Sequence, residues 1–216
     1  GKKIISNLNP TYFIADIAAN HDGSLSRAKK LIRLAAKAGA DAAKFRHFKA
    51  ETIVNDNGFK KIGKVSHQSK WRTSVFEVYK KASINPNWTK ILKKECNKHK
   101  IEFLTSPYDM GYVDEVNKYV KAYKIGSGDI SWLEIIKRIS KKNKPVILAT
   151  GASTLKDVQI AYNLIKRYNK QIVLMQCNTN YTASDENFKH INLQVLNKFK
   201  KKFKNIILGL SDHTLG

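Results

Sequence analysis

Two lysines lie inside short apolar runs of strand length. Lys44 belongs to the run 42–45 and Lys124 to the run 122–125. Because burying an ammonium group without a partner is costly, each amine is expected to meet an anion. Such a lysine can bind an anionic ligand, or it can form a Schiff base if its pKa is lowered. The third alternative is a lysine whose stem is buried and whose charge reaches the surface.

Hydroxyl side chains follow several of the same apolar runs. Ser127 lies between two glycines, in a small loop whose backbone N–H groups can approach an anion. Thr105-Ser106-Pro107 and the segment 150–153 have a similar composition. Each loop alone is a weak signal, since Ser and Thr often cap helices. Together they predict a pocket for a phosphate or a carboxylate.

Acidic and imidazole groups are found close to these loops. Asp16 lies within the first apolar run, where we expect a buried carboxylate that pairs with a strand-end lysine. Asp129 follows the Ser127 loop and can be a general base or the first-turn acid of the next helix. His213, in Ser211-Asp212-His213, is either a metal ligand or a structural histidine. One histidine does not make a metal site, because two or three ligands are needed.

Positioning these groups requires an alternation of strands and helices. Apolar runs alternate with amphipathic stretches along the whole sequence. The predicted strands are 12–18, 41–48, 101–106, 122–126, 145–150, 172–176 and 205–210. The predicted helices are 24–37, 74–81, 88–99, 112–119, 132–140, 154–168 and 187–203, with Leu133, Leu155 and Leu193 among their core residues.

Strict alternation predicts a parallel sheet with helices outside it. An open doubly wound sheet and a barrel both fit this pattern. An open sheet concentrates function at one switch point, whereas a barrel gathers the ends of all its strands around one mouth. Nearly every predicted strand ends in polar residues, and no G-x-G-x-x-G follows the first strand. We therefore predict an α/β fold of the TIM (β/α)8 type, incomplete, with about seven β/α units and the eighth strand missing.

Composition excludes several classes of protein. Hydrophobic residues make up 42% of the 216 residues, which argues against a disordered chain. Two cysteines, Cys96 and Cys177, are too few for a disulfide scaffold, and we expect buried thiols. The net charge of +23 comes mostly from dispersed lysines, so a solvated surface is expected rather than nucleic-acid binding. No signal peptide or membrane span is evident, which predicts a cytoplasmic protein.

Six segments together resemble the sialic acid synthase family, and they occur in the family's order. They are 13–23, 38–46, 103–109, 122–129, 145–151 and 209–214. The resemblance implies a barrel domain that condenses phosphoenolpyruvate with an N-acylated amino sugar such as N-acetylmannosamine. The product would be a nine-carbon 2-keto acid, with release of phosphate. The family uses a divalent metal, Mn²⁺ or Mg²⁺, and forms a homodimer in which a C-terminal antifreeze-like domain covers the partner's active site.

The resemblance also implies roles for individual residues. Phosphoenolpyruvate would be bound by Lys44, Lys124, Ser127, Ser211 and the Thr105-Ser106 pair. Asp129 would transfer protons, with Asp16 as a further catalytic carboxylate, and His213 would bind the metal. The sugar would contact Arg46 and Tyr181, with Asn20 at the same mouth.

Some positions depart from the family's pattern. Asp16 and Asp129 stand where the family usually has Glu, and Arg46 where it usually has Gln. Thr105-Ser106 reverses the common order, and Gln176 replaces a common His. The given sequence stops at residue 216, before the positions of the family's eighth strand and antifreeze-like domain, so we expect a truncated chain that is inactive alone.

Three alternative functions stay open. The acceptor can be that of a legionaminic or pseudaminic acid synthase. The protein can be a Schiff-base aldolase that uses Lys44 or Lys124, or a binding domain without catalytic activity. The segment 51–86 is expected to form a lid on the sugar side that includes Asn55, Asp56, His67, Gln68 and Lys70.

Overall fold

The computed structural model describes residues 3–62, 71–181 and 184–214. Its strands are β1 Ile14–Ala18, β2 Ala42–His47, β3 Glu102–Pro107, β4 Tyr123–Ile125, β5 Val146–Ala149, β6 Ile172–Cys177 and β7 Ile206–Ser211. Its helices are α1 Leu25–Lys37, α2 Ala50–Ile53, α3 Asp56–Ile62, α4 Val75–Ala82, α5 Trp88–Lys98, α6 Met110–Glu115, α7 Leu133–Ser140, α8 Leu155–Tyr168 and α9 Gln194–Lys202. Two short 3-10 helices span Ser127–Asp129 and Asp185–His190.

The chain forms two compact units. The first unit is Tyr12–Lys121, and the second unit is Gly1–Thr11 together with Ala122–Gly216. The first contains β1 to β3 and the second contains β4 to β7.

In the first unit, β1 pairs with β2 and β2 with β3, all parallel. Helix α1 begins after Ser24, whose side chain accepts a hydrogen bond from the backbone N–H of Arg27. It ends before Gly39, whose φ of +87° is left-handed and suits glycine. Helices α1 and α5 pack together, so that Ile32 and Leu92 are fully buried.

In the second unit, β4, β5, β6 and β7 pair in chain order, again all parallel. Helices α7 and α8 pack against each other and bury Ile136 and Ile165. Helix α8 begins with a capping box, in which Thr154 and Asp157 each bond the other's backbone.

All seven predicted strands are present, and their parallel alternation with helices is the arrangement predicted for an incomplete barrel. Some helix predictions were wrong. The stretch 187–203 is interrupted, because Ile191 adopts extended backbone geometry and α9 begins only at Gln194. The helix predicted at 112–119 is α6, which begins earlier because Asp109 caps it. Leu133, Leu155 and Leu193 were predicted in the core but are 39%, 43% and 50% exposed.

The segment predicted as a lid contains α2 and α3 in addition to the predicted α4. The Asn55 side chain accepts the backbone N–H of Gly58, and Asp56 pairs with Lys60. The other lid residues, His67, Gln68 and Lys70, lie outside the described residues. In the ranges that the structure describes, no helix has both the length and the apolar character to cross a membrane.

Candidate active site

An ion pair between a buried lysine and a partly exposed aspartate joins β1 to β2 in the first unit. Lys44 is 2% exposed, and its Nζ lies 2.8 Å from Oδ1 of Asp16, its partner in the strand register. Nη2 of Arg46 lies 3.9 Å from the other Asp16 carboxylate oxygen. The predicted pairing of Asp16 with a strand-end lysine is therefore confirmed. The predicted burial of Asp16 is wrong, because its side chain is 30% exposed. Within this unit, β1 pairs with β2.

Strand alternation decides which neighbours of this ion pair share its face. Lys44 and Arg46 are two residues apart, so they point to the same side of β2. Ser106 is in register with Arg46 on β3, so it belongs to that side, and it is buried. Thr105 belongs to the opposite side, where its hydroxyl donates to the backbone carbonyl of Phe45 and lies 2.7 Å from Nδ1 of His47. Of the predicted Thr105-Ser106 pair, Ser106 is thus the residue on the side of the cations.

The other lysine that was predicted to bind an anion, Lys124, lies in the second unit. Nζ of Lys124, on β4, donates to Oγ of Ser211, at the end of β7, over 2.7 Å. In a flat sheet these strands would be roughly 14 Å apart, since neighbouring strands are about 4.8 Å apart. A lysine and a serine cannot span that distance, so the four-stranded ladder must curve. This contact brings together two residues that the sequence predicted to bind one anion.

The loop after β4 is held against the loop after β5. The buried hydroxyl of Ser127 accepts the backbone N–H of Gly151 at 2.9 Å. A Cβ atom on Gly151 would lie 2.7 Å from the carbonyl oxygen of Cys177 and 2.6 Å from Cγ2 of Thr179. Glycine is therefore required here by the close approach of three loops.

Replacing Gly151 with Ala is expected to lower the free energy of unfolding by about 1–3 kcal/mol, the usual cost of overpacking. The backbone oxygen of Cys177 cannot rotate away as a side chain would. Urea denaturation measures the change, and Gly128→Ala is the control variant, because a Cβ atom added there meets nothing within 4 Å. Equal stability of the two variants would contradict the packing described here.

The remaining predicted residues lie on loops or on a short 3-10 helix. In the second unit, the rings of Tyr181 and His213 are 4.5 Å apart between centroids. Asp129 is the half-buried last residue of its 3-10 helix. In the first unit, Asn20 is exposed, and its backbone carbonyl accepts from Nε of Arg27. The convergence of all these side chains on one cavity stays a prediction.

The surroundings of His213 do not complete a metal site. Across residues 3–62, 71–181 and 184–214, no three His, Cys, Asp or Glu side chains cluster as metal ligands. Burial raises the pKa of the neighbouring Asp212, but hydrogen bonds from Thr214 and His213 and the nearby imidazole hold it below its usual range. The described donor set does not fit a complete divalent metal site, so no reaction step is assigned to a metal.

A cavity of about 300 Å³ lies in the second unit between the strands and α8 and α9. Its walls include Val158, Gln176 and Phe199 and also the segment 150–153, one of the loops predicted to form the anion pocket. The residues that were given individual catalytic or binding roles are not among its lining residues. Gln176 is buried, and its Oε1 has no hydrogen-bond partner within the described part of the chain.

Two histidines to which the sequence assigned no role are buried. His47, the last residue of β2, is 1% exposed, and His21 is fully buried with its ring edge-on to Trp88. Burial, and then the nearby His21, lower the pKa of His47 to about 3. The sequence signal that could have identified His47 is its position at the end of a predicted strand.

Both cysteines are buried free thiols, as predicted. Burial raises the pKa of Cys96 to about 12, so this thiol is not a nucleophile at neutral pH.

Parallel β/α units with lysine and serine side chains at the strand ends define a protein of the β/α-barrel class. The chain belongs to the NeuB family, whose family model matches residues 31–216. This confirms the resemblance drawn from the six segments.

Curated relatives support the same family. The chain is 36% identical to N,N'-diacetyllegionaminic acid synthase of Campylobacter jejuni, covering 97% of this chain and 62% of the relative. It is 27% identical to human N-acetylneuraminate-9-phosphate synthase, covering 98% and 58%. The chain therefore spans about three-fifths of the length of these relatives.

A solved structure supports the fold. N-acetylneuraminic acid synthetase of Leptospira borgpetersenii, in complex with citrate, superposes with a TM-score of 0.84 at 25% identity. The alignment covers 99% of this chain and 70% of that one. The predicted fold class, an incomplete (β/α)8-type barrel, is confirmed.

Proposed function

We propose that this chain is the barrel part of a synthase that joins phosphoenolpyruvate to an N-acylated amino sugar, giving a nine-carbon 2-keto acid and phosphate. The observation that carries the proposal is the Lys124–Ser211 contact, a cation and a hydroxyl brought together across a curved ladder. The names of the relatives, which are sialic, legionaminic and pseudaminic acid synthases, support a sugar acid product.

Phosphoenolpyruvate needs several cationic and hydroxyl donors because it carries both a phosphate and a carboxylate. In the proposal, Lys124 and Lys44 supply charge, and Ser127, Ser211 and Ser106 donate hydrogen bonds. Charge-assisted bonds of this kind are roughly twice as strong as neutral ones. The lysines thereby orient the enol carbon toward the aldehyde of the sugar.

The proposed reaction forms one carbon–carbon bond. The enol carbon attacks the aldehyde carbon of the sugar, whose oxygen takes up a proton. Water adds to the resulting cationic carbon, and its proton passes to Asp129 as general base. The carbon–oxygen bond to phosphate in the tetrahedral intermediate then breaks, the hydroxyl proton leaves with the phosphate, and the 2-keto acid remains.

The acceptor is proposed to lie against Arg46 and Tyr181. N-acetylmannosamine is the first candidate. A diacetylated hexose of the legionaminic type is the second, since the two legionaminic acid synthases are 36% and 32% identical to this chain and the human enzyme 27%. Requirement for Mn²⁺ or Mg²⁺, homodimer formation and a cytoplasmic location stay predictions of the resemblance.

Titration calorimetry of the purified chain tests the proposal. Phosphoenolpyruvate is expected to bind, and pyruvate, which lacks the phosphate, is expected to bind at least about 100-fold more weakly, since several charge-assisted bonds are lost. No binding of phosphoenolpyruvate would contradict the proposal. Trapping of pyruvate on Lys44 or Lys124 by borohydride would instead indicate a Schiff-base aldolase.

A further inference from the structure

The imidazole of His47 is held on both of its nitrogens in the first unit. Nδ1 lies 2.7 Å from the hydroxyl of Thr105 on β3, and Nε2 lies 2.9 Å from the hydroxyl of Thr89 in the first turn of α5. The ring also packs against Phe103 and Tyr112. Because His47, Thr89 and Thr105 are all at most 5% exposed, water does not compete for these bonds.

The directions of these bonds follow from the hydroxyl of Thr105. That hydroxyl has a single hydrogen, which it donates to the carbonyl of Phe45 over 3.1 Å. It therefore accepts from His47, so the proton of the neutral ring is on Nδ1. Nε2 is left as an acceptor, and the hydroxyl of Thr89 donates to it. The result is one directional chain of three hydrogen bonds from α5 through His47 and Thr105 to β2.

This chain of hydrogen bonds lies next to residues that are proposed to contact the substrates. His47 is adjacent to Arg46 in β2, and Thr105 is adjacent to Ser106 in β3. Because neighbouring residues of a strand point to opposite faces, bonds on the helix side fix the backbone that presents Arg46 and Ser106 on the other. Displacement by about 1 Å is enough to weaken a bound geometry strongly.

We propose that His47 is a positioning residue. Its Nδ1–H tautomer, clamped between Thr89 and Thr105, holds the ends of β2 and β3 so that Ser106 and Arg46 meet the substrates without rearrangement. His47 itself does not touch the substrate. This role rests on the proposed synthase function.

The test removes the hydrogen bond between Thr89 and His47. Thr89→Val deletes the donor to Nε2 while keeping the side-chain shape, and Thr89→Ser restores the hydroxyl. Ser140→Ala is the matched control, because it removes a fully buried hydroxyl bond, to the carbonyl of Ile136, in the second unit. Calorimetry measures the dissociation constant for phosphoenolpyruvate, urea denaturation measures stability, and ¹⁵N NMR reports the tautomer of His47.

Thr89→Val is expected to raise the dissociation constant roughly three- to tenfold, the equivalent of one lost hydrogen bond. Thr89→Ser is expected to bind as the wild type does, and Ser140→Ala is expected to lose stability without losing affinity. NMR should show the proton on Nδ1 and no titration of His47 from about pH 8 to about pH 5, as burial predicts.

Three results overturn the role. The first is wild-type affinity in Thr89→Val while the wild type binds phosphoenolpyruvate, which leaves the proposed function standing. The second is a proton on Nε2 of His47. The third is a wild-type chain that does not bind phosphoenolpyruvate, in which case the proposed function fails as well.

Discussion

Replacing Lys124 with Met is expected to weaken phosphoenolpyruvate binding about 10- to 100-fold. The ammonium group of Lys124 donates a hydrogen bond to Ser211 over 2.7 Å. A methionine side chain has a similar length but carries no charge and donates no hydrogen bond. A hydrogen bond between charged groups contributes about 1.5–3 kcal/mol, and 1.36 kcal/mol corresponds to a factor of ten. Calorimetry at fixed ionic strength measures the change.

Lys200→Met is the matched control for Lys124→Met. Lys200 is exposed near the end of α9 in the same unit and carries the same charge. Because exposed charges are screened by salt, its loss is expected to change the affinity by less than about twofold. If both variants lost the same affinity, the basic surface as a whole would attract the ligand, and no particular role would remain for Lys124.

Replacing Asp16 with Asn is expected to lower the free energy of unfolding by about 2–3 kcal/mol. The change removes the carboxylate 2.8 Å from the ammonium of Lys44, which is 2% exposed. Breaking a buried ion pair costs about 3–5 kcal/mol, and the partial exposure of Asp16 reduces this figure. Urea denaturation at neutral pH measures the change.

Two variants control for this result. Asp56→Asn breaks an exposed pair with Lys60 on α3 and is expected to cost less than about 1 kcal/mol. The double variant Asp16→Asn with Lys44→Met leaves no ammonium to desolvate, so it is expected to recover part of the lost stability. A double variant less stable than Asp16→Asn alone would show that the ion pair is not what stabilises β1 against β2.

The sequence was sufficient to predict the order of the strands and the pairing of Asp16 with a lysine. Alternation of apolar runs with amphipathic stretches is a local pattern, and neighbouring parallel strands bring their ends to one edge. Asp16 and Lys44 occupy equivalent positions on such strands, so their contact follows from topology.

The errors arise where a local pattern does not reveal which direction a side chain faces. Leu133 and Leu155 are the first residues of α7 and α8, and Leu193 immediately precedes α9. A leucine at the start of a helix has the spacing of the core-facing residues, yet these three side chains are 39–50% exposed. The spacing alone therefore does not show which apolar residues the neighbouring elements cover.

Residues that act through buried hydrogen bonds were the hardest to find. His47 ends a run of strand residues, and its two partners are 42 and 58 residues away in the sequence. Nothing in a single sequence links Thr89 to His47. The strand register also decided which of Thr105 and Ser106 lies on the same side of the sheet as Lys44 and Arg46. A shift of one residue would exchange the faces of the two side chains.

The most direct measurement of the central claim is a crystal structure of this chain with phosphoenolpyruvate. We predict that the ammonium of Lys124 and the hydroxyl of Ser127 or Ser211 lie within hydrogen-bonding distance of the ligand's phosphate or carboxylate oxygens. Phosphoenolpyruvate bound with none of these groups in contact would contradict it.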